Sequence, residues 1–195
     1  MANFIDFFLI IQIFVLLNPL SSFPFFKRAY EKKMDLKSIA IKAAVSAFVI
    51  AVIILLIGPS LFSLFGITLD SFRIAGGIVL LLLGIEMVRA REEEYKKAKE
   101  ADSIIAIIAT PLLTGPATIS FITIKAYEIG KVDVFVNLFF AFLLVGIVLI
   151  LFALLFKKIN AKIIDIASRV AGLFLVAIAI EMMSKGISGI ILNLK

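Results

Sequence analysis

The chain has 195 residues, of which 63% are apolar and 17% are charged, against roughly 45–50% apolar residues in soluble domains. This composition excludes a water-soluble fold, and the lack of cysteine and histidine excludes disulfides, thiolate metal sites and histidine chemistry, so no metal or cofactor is expected. The net charge of +6 comes from basic residues that flank apolar runs, which indicates contact with membrane lipid and not with nucleic acid.

Six segments are apolar enough to cross a membrane as helices. A span needs about 20 apolar residues, and four such stretches contain no Asp, Glu, Lys or Arg. Two shorter segments each carry one carboxylate, Glu86 or Glu181, and remain spans because basic residues near their ends can extend to the interface. We predict an all-α integral membrane protein with helices at about 4–28, 38–60, 70–90, 102–126, 132–156 and 167–192.

Basic residues predict how these helices are oriented. Segments 27–37 and 89–99 each contain five Lys or Arg and segment 157–162 contains three, whereas segment 58–71 contains none and segment 125–131 two. With six spans the three basic loops fall on one side, which the positive-inside bias assigns to the cytoplasm. We therefore expect a multi-pass protein of the cytoplasmic membrane with both termini outside. A signal peptide is not expected, because no basic region precedes the first apolar run.

Two sequence patterns occur twice in the chain. LNPLSSFP (17–24) in the first span returns as ATPLLTGP (109–116) in the fourth, and RIAG (73–76) before IEM in the third span returns as RVAG (169–172) before IEM in the sixth. The offsets are 92 residues for the prolines, 96 for the arginines and 95 for the glutamates.

These offsets predict two three-helix halves, at 1–98 and 99–195. An odd number of spans in each half inverts the second half in the membrane, giving a 3+3 inverted repeat. Inverted repeats are the common construction of secondary transporters, in which one unit rocks against another. The alternative is a duplication retained for assembly alone.

The paired prolines predict breaks in the first and fourth helices. A proline inside a helix costs about 3 kcal/mol, and freed backbone groups at membrane depth survive only where they are buried in protein or line a wet cavity. Exposed amides attract a carboxylate and exposed carbonyls an ammonium, so a small zwitterion fits such a break. The alternative is a pair of kinks whose polar side chains cap their own backbone. The candidate site residues are Asn18, Pro19, Ser21, Ser22, Pro24, Thr110, Pro111, Thr114, Gly115 and Pro116.

Glu86 and Glu181 are matched carboxylates well inside the third and sixth spans. An ionised carboxylate there is costly unless it is paired or faces water, and burial would let it gain and lose a proton near neutral pH. Both are candidates for proton coupling, or else structural partners of basic residues such as Lys185. Lys125 is interpreted as extending from a helix end, and Gln12 as forming an interhelical hydrogen bond.

The proline motifs, the IEM sequences and the six-span layout resemble the MarC family over essentially the whole chain. That family includes small neutral amino acid transporters of the SnatA type, within the LysE-like transporter superfamily. The resemblance implies a 3+3 inverted fold with unwound first and fourth helices that bind glycine or alanine. The implied substrate-contacting stretches are Asn18–Pro24 and Thr110–Thr118, which adds Thr118 to the site. Family members often have Gly-Pro-Gly in the fourth span, whereas Ala117 follows Pro116 here.

The predicted function is alternating-access transport of a small neutral amino acid, with proton coupling as a further expectation. An ion channel needs a continuous polar stripe or charged rings, and no span shows one. A membrane enzyme is not expected, because this chain lacks the histidine, the cysteine and the clustered acids within the spans that hydrolysis needs. The alternatives are an ion channel or an exporter of another small metabolite. A homo-oligomer also stays open, because Gly76, Gly77 and Gly84 permit close helix packing within one subunit or between two.

Overall fold

The computed structural model describes residues 5–89 and 115–193. These ranges contain helices and short connections but no β-strand, which confirms the all-α prediction for them. The α-helices, numbered α1 to α7, are Phe7–Leu17, Phe23–Glu31, Leu36–Phe65, Leu69–Arg89, Pro116–Ile129, Lys131–Leu155 and Ala161–Asn193. Two 3₁₀ helices, Pro19–Ser22 and Phe156–Lys158, follow α1 and α6.

Five segments within the described ranges are long and apolar enough to cross a membrane, and they match the first, second, third, fifth and sixth predicted spans. Of the fourth predicted span, the structure describes only the part that forms α5; the remainder lies outside the described residues. The five segments are Phe7–Glu31, Leu36–Gly58, Leu69–Arg89, Lys131–Leu155 and Lys162–Asn193.

Helix α3 shows how the bundle separates its core from its surroundings. One face consists of alanines with no exposed surface, which lets α3 lie close to α5 and α6. The opposite face carries branched apolar side chains that are about half exposed, an arrangement that soluble proteins avoid. The buried alanines are Ala40, Ala43, Ala47 and Ala51, and the exposed side chains include Ile41, Val45, Val49 and Ile53.

Helices α4 and α7 form the most extensive contact among the described elements. Glycines bring their backbones together: a methyl group at Gly84 would lie 2.9 Å from the carbonyl oxygen of Gly172, and one at Gly186 would lie 2.7 Å from that of Asp70. Early residues of α4 therefore meet late residues of α7, so the two helices are antiparallel. The glycine-lined face of α4 thus packs within the subunit, as glycines do in membrane helix pairs.

The contact between α4 and α7 is reciprocal at matched positions. A methyl group at Gly76 would lie 2.9 Å from Cε of Met182, and one at Gly172 would lie 2.8 Å from Cβ of Met87. Gly76 corresponds to Gly172 in the duplicated sequence, and Met87 corresponds to Met182. Each glycine thus contacts the methionine of the opposite helix, as a two-fold relation requires.

Helix α1 is fixed at its beginning by two polar contacts. The Asp6 carboxylate accepts hydrogen bonds from the backbone N–H groups of Phe8 and Leu9, at 2.9 and 3.2 Å, which caps the helix. The backbone N–H of Asp6 donates to Oδ1 of the buried Asn137 in α6, at 2.7 Å. These bonds set the position of α1 before the chain reaches the first proline.

Candidate functional site

The first span is broken at Asn18, as the proline pattern predicts. Asn18 has φ 42° and ψ 62°, a left-handed conformation that asparagine adopts more readily than most residues. Its backbone N–H still bonds to the carbonyls of Phe14 and Val15, at 3.1 and 3.2 Å. Pro19 then has no N–H with which to continue the helix, so the chain turns through one 3₁₀ segment before α2 begins at Phe23.

Ser21 satisfies the backbone at the break. Its hydroxyl donates to the carbonyl oxygen of Asn18 at 2.8 Å, and its backbone N–H donates to the same oxygen at 3.1 Å. The capping interpretation of the polar side chains is therefore correct for Ser21. The Asn18 carbonyl is correspondingly occupied and is a poor candidate for holding a ligand ammonium.

Asn18 and Ser22 are different, because each carries a buried polar atom that no described residue hydrogen-bonds. The Asn18 side chain donates from Nδ2 to Sδ of Met87 at 3.3 Å, which attaches the break to α4. Its Oδ1, and Oγ of the fully buried Ser22, have no hydrogen-bond partner among the residues that the structure describes. Such an atom costs about 1–3 kcal/mol when left unpaired, so this pair of atoms marks a place where a polar ligand would be stabilised.

Aromatic side chains cover the break on the α2 side. The ring of Phe23 lies 5.3 Å from that of Phe152 and 5.4 Å from that of Phe156, measured between centroids. The Tyr30 ring lies 4.9 Å from that of Phe156. Pairs at these separations are worth about 0.5–1.5 kcal/mol beyond the area that they bury. This cluster was not predicted from the sequence, although the 19 phenylalanines indicate that aromatic contacts are common in this protein.

The second proline segment also begins a helix inside the bundle. Gly115 is extended, with φ −70° and ψ 178°, and α5 begins at Pro116 without a side-chain cap from the described residues. The backbone N–H of Ile119 donates to the Gly115 carbonyl at 3.0 Å. Ala117 and Thr118 are both buried. Thr110, Pro111 and Thr114 lie outside the described residues.

The first half of α5 lies beside the middle of α4. A methyl group at Gly76 would lie 2.6 Å from Cβ of Ser120, and Glu128 at the far end of α5 reaches Arg73. Pro116 precedes Ser120 by one helical turn, so the amino end of α5 lies away from the end of α4 that holds Arg73. The first break, at Asn18, contacts the same helix through Met87. Helix α4 thus lies against both segments that the proline patterns single out.

The expected burial of Glu86 and Glu181 is wrong. Both residues are exposed, and the Glu181 carboxylate, 66% exposed, forms an ion pair with Lys185 at 3.1 Å. Gly84 and Met87 lie on the face of α4 that contacts α7. Glu86 lies between them in the sequence, so its side chain leaves the helix on another face. The partner interpretation of Glu181 is correct, and proton coupling through either residue stays a prediction.

A charged network lies near the start of α4. Arg73 pairs with Asp70 in its own helix and with Glu128 in α5, both at 2.7 Å, and Glu128 also receives Lys125 at 2.9 Å. Burial alone raises the pKa of Glu128, but hydrogen bonds from Lys125 and Arg73 outweigh burial and hold that pKa below its usual value. Lys125 therefore forms an ion pair here, which the sequence interpretation of this residue did not include.

Antiparallel apolar helices with faces of exposed aliphatic side chains define a multi-pass α-helical membrane protein. The chain belongs to the MarC family: the family's sequence model, described as MarC family integral membrane protein, matches residues 2–191. A UPF0056 membrane protein of Methanocaldococcus jannaschii is 35% identical, with 93% of this chain and 95% of the relative covered. The Escherichia coli UPF0056 membrane protein YhcE is 30% identical, with 92% and 90% covered. No solved structure matches the chain.

Proposed function

We propose that this protein is a secondary transporter that moves a small neutral amino acid, of the glycine or alanine class, across the cytoplasmic membrane. The observation that carries the proposal is a pair of buried atoms at the break, Asn18 Oδ1 and Ser22 Oγ, that have no hydrogen-bond partner in the described part of the chain. An amide oxygen and a hydroxyl can both accept hydrogen bonds from an ammonium group. A ligand ammonium would therefore remove the free-energy cost of burying these two oxygens without a hydrogen bond.

The amino end of α5 supplies the opposite chemistry. The positive end of its helix dipole favours a carboxylate, and this end lies at Pro116, within the second proline motif. The two breaks thus offer the two kinds of group that recognise the ammonium and the carboxylate of a small amino acid. The small residues Gly115 and Ala117 beside this end favour a small side chain on the ligand.

The halves 1–98 and 99–195 would then move relative to each other as an inverted repeat. The reciprocal contacts of Gly76 with Met182 and of Gly172 with Met87 support this proposal. Transporters with inverted repeats expose a central site to each side in turn. Glu86 and Glu181 remain candidates for coupling to protons, and their exposure on the described chain means that they would act at the surface of the bundle.

Uptake of labelled glycine and alanine into proteoliposomes tests this proposal. A carrier is expected to show saturable uptake that is accelerated by unlabelled glycine inside the vesicles. This acceleration is expected of an importer and of an exporter alike, because both can exchange substrate across the membrane. A channel would give no such acceleration, and an exporter of another metabolite would give no glycine uptake at all. Repeating the assay with and without a proton gradient, for the wild type and for Glu86→Gln and Glu181→Gln, tests the coupling.

A further inference from the structure

A cavity lies at the end of the bundle that holds Arg73. It has a volume of about 220 Å³ and lies between α1, α4, α5 and α7. This volume is several times the roughly 30 Å³ share of one water molecule and is smaller than drug-sized pockets of roughly 300 Å³ or more. A small molecule of a few heavy atoms would fit. The polar side chains that line the cavity are Gln12, Arg73, Lys125, Glu128, Glu181 and Lys185.

This cavity is separate from the break at Asn18. Gln12 precedes Asn18 by six residues, which corresponds to about 9 Å along a helix. Ile13, Leu16 and Leu17 between them are buried, with at most 2% of their surface exposed. Apolar side chains therefore separate the charged cavity from the unpartnered atoms of the proposed substrate site.

The charges around the cavity balance. Arg73, Lys125 and Lys185 are opposed by Glu128 and Glu181 in the lining and by Asp70, which binds Arg73. Each of these charges takes part in an ion pair. A ligand with a net charge would upset this balance, whereas a zwitterion adds one charge of each sign.

One of these ion pairs differs from the others in what it connects. Arg73 and Glu128 join α4 in the first half of the chain to α5 in the second, through Nη2 and Oε1 at 2.7 Å. Their side chains are only 18% and 21% exposed. Glu181 and Lys185, in contrast, belong to one helix and are 66% and 56% exposed. Separating the first pair leaves Arg73 with Asp70 and Glu128 with Lys125 as their remaining partners. Because both side chains are poorly hydrated, this loss is costly, whereas separating the second pair costs little.

We infer that this cavity is an access site for a small zwitterion and that the pair of Arg73 and Glu128 is its gate. The ligand carboxylate takes the place of Glu128 beside Arg73 and Lys125, and the ligand ammonium takes the place of Arg73 beside Glu128. Both charges keep a partner as the two halves separate. An anion alone would leave Glu128 with Lys125 as its remaining partner, and a cation alone would leave Arg73 with Asp70, so either ligand would cost one ion pair. This inference rests on the proposed function for the identity of the ligand class.

A single cysteine tests the gate without any ligand, because the natural chain contains no cysteine. Gln12→Cys places a thiol in the cavity lining, and its reaction rate with a polar thiol reagent is measured on the full-length protein in lipid nanodiscs, where both faces meet the reagent. Adding Glu128→Gln or Arg73→Gln breaks the pair from either side, and each is expected to accelerate labelling several-fold. Lys185→Gln is the matched control, since it removes a charge from the same lining without affecting the pair, and no acceleration is expected. Equal rates in all four proteins would overturn the gate.

Ligand protection tests the access site. Glycine is expected to slow labelling of Gln12→Cys in a saturable way, whereas glycolate and methylammonium at the same concentrations are not. Protection should be lost with Glu128→Gln and retained with Lys185→Gln and with Ser22→Ala, which alters only the proposed substrate site. Transport of glycine without protection would overturn the access site and leave the proposed function intact. Protection without transport would overturn the proposed function and leave the access site intact.

Discussion

Gly84 and Gly172 face each other so closely that a methyl group on either would lie 2.9 Å from the carbonyl oxygen of the other. Both belong to the interface between α4 and α7, the third and sixth predicted spans. The backbones of these helices are therefore in direct contact at this point, and no larger side chain fits between them.

Alanine at either glycine is expected to destabilise the protein. The added methyl group has a backbone atom as its neighbour, which cannot rotate away, so the helices must separate at a cost of about 1–3 kcal/mol. Gly84→Ala and Gly172→Ala should each lower the thermal unfolding temperature in detergent. Gly146→Ala in α6 is the control, because a methyl group there meets no described atom within 4 Å; its helix should be unaffected or slightly stabilised. Equal effects at Gly84 and Gly146 would contradict this packing.

Asn18 combines a backbone role with a ligand role, and two substitutions separate them. Glycine adopts φ 42° freely, whereas alanine in the left-handed region costs about 1–2 kcal/mol. Asn18→Ala should therefore unfold at a lower temperature than Asn18→Gly. Both variants lack the amide oxygen and should bind glycine more weakly than the wild type, as measured by equilibrium binding in detergent. Undiminished binding by Asn18→Gly would remove Asn18 from the site.

Acid should weaken the contact between α4 and α5. The pKa of Glu128 is held below its usual value of 4.5 in the folded protein, so ionised Glu128 contributes stability that is present above that value and lost as the pH falls through the folded pKa. The unfolding temperature of the wild type should drop on acidification below about pH 4.5, and that of Glu128→Gln should drop less. Parallel curves for the two proteins would show that Glu128 has no such role.

The predicted orientation can be measured with single cysteines in the connections. Ile67 lies between α3 and α4, and Lys158 lies between α6 and α7; both are exposed. With both termini outside, an impermeant thiol reagent should label Ile67→Cys on intact cells and label Lys158→Cys only after the membrane is opened. The reverse pattern would place the basic loops outside.

The sequence predicts the features of this protein that depend on local chemistry. Apolar runs identify the spans, and the proline after Asn18 identifies the break, because both effects act within a few residues. The pairing of Arg73 with Glu128 spans 55 residues and depends on how α4 and α5 pack, so charge patterns along the chain did not indicate it. The exposure of Glu86 was missed for a related reason: the glycines fix which face of α4 is buried, and residues on its other faces turn outward.

The difference between Ser21 and Ser22 could also not be predicted from the sequence. Neighbouring serines are equivalent in a motif, but the 3₁₀ turn directs Ser21 Oγ to the Asn18 carbonyl and buries Ser22 Oγ among groups that offer it no partner in the described chain. The two residues thus provide a matched pair of variants. Ser21→Ala removes a backbone hydrogen bond, whereas Ser22→Ala removes an unpaired polar atom.

The central claim, that the break at Asn18 is kept for a polar ligand, is tested most directly by Ser22→Ala. Without ligand this variant should unfold at the same or a higher temperature than the wild type, because it no longer buries an unpaired hydroxyl, and it should bind glycine more weakly. Ser21→Ala should show the opposite pattern, a lower unfolding temperature with binding largely retained. A Ser22→Ala protein that is less stable than the wild type and binds glycine equally well would contradict the claim.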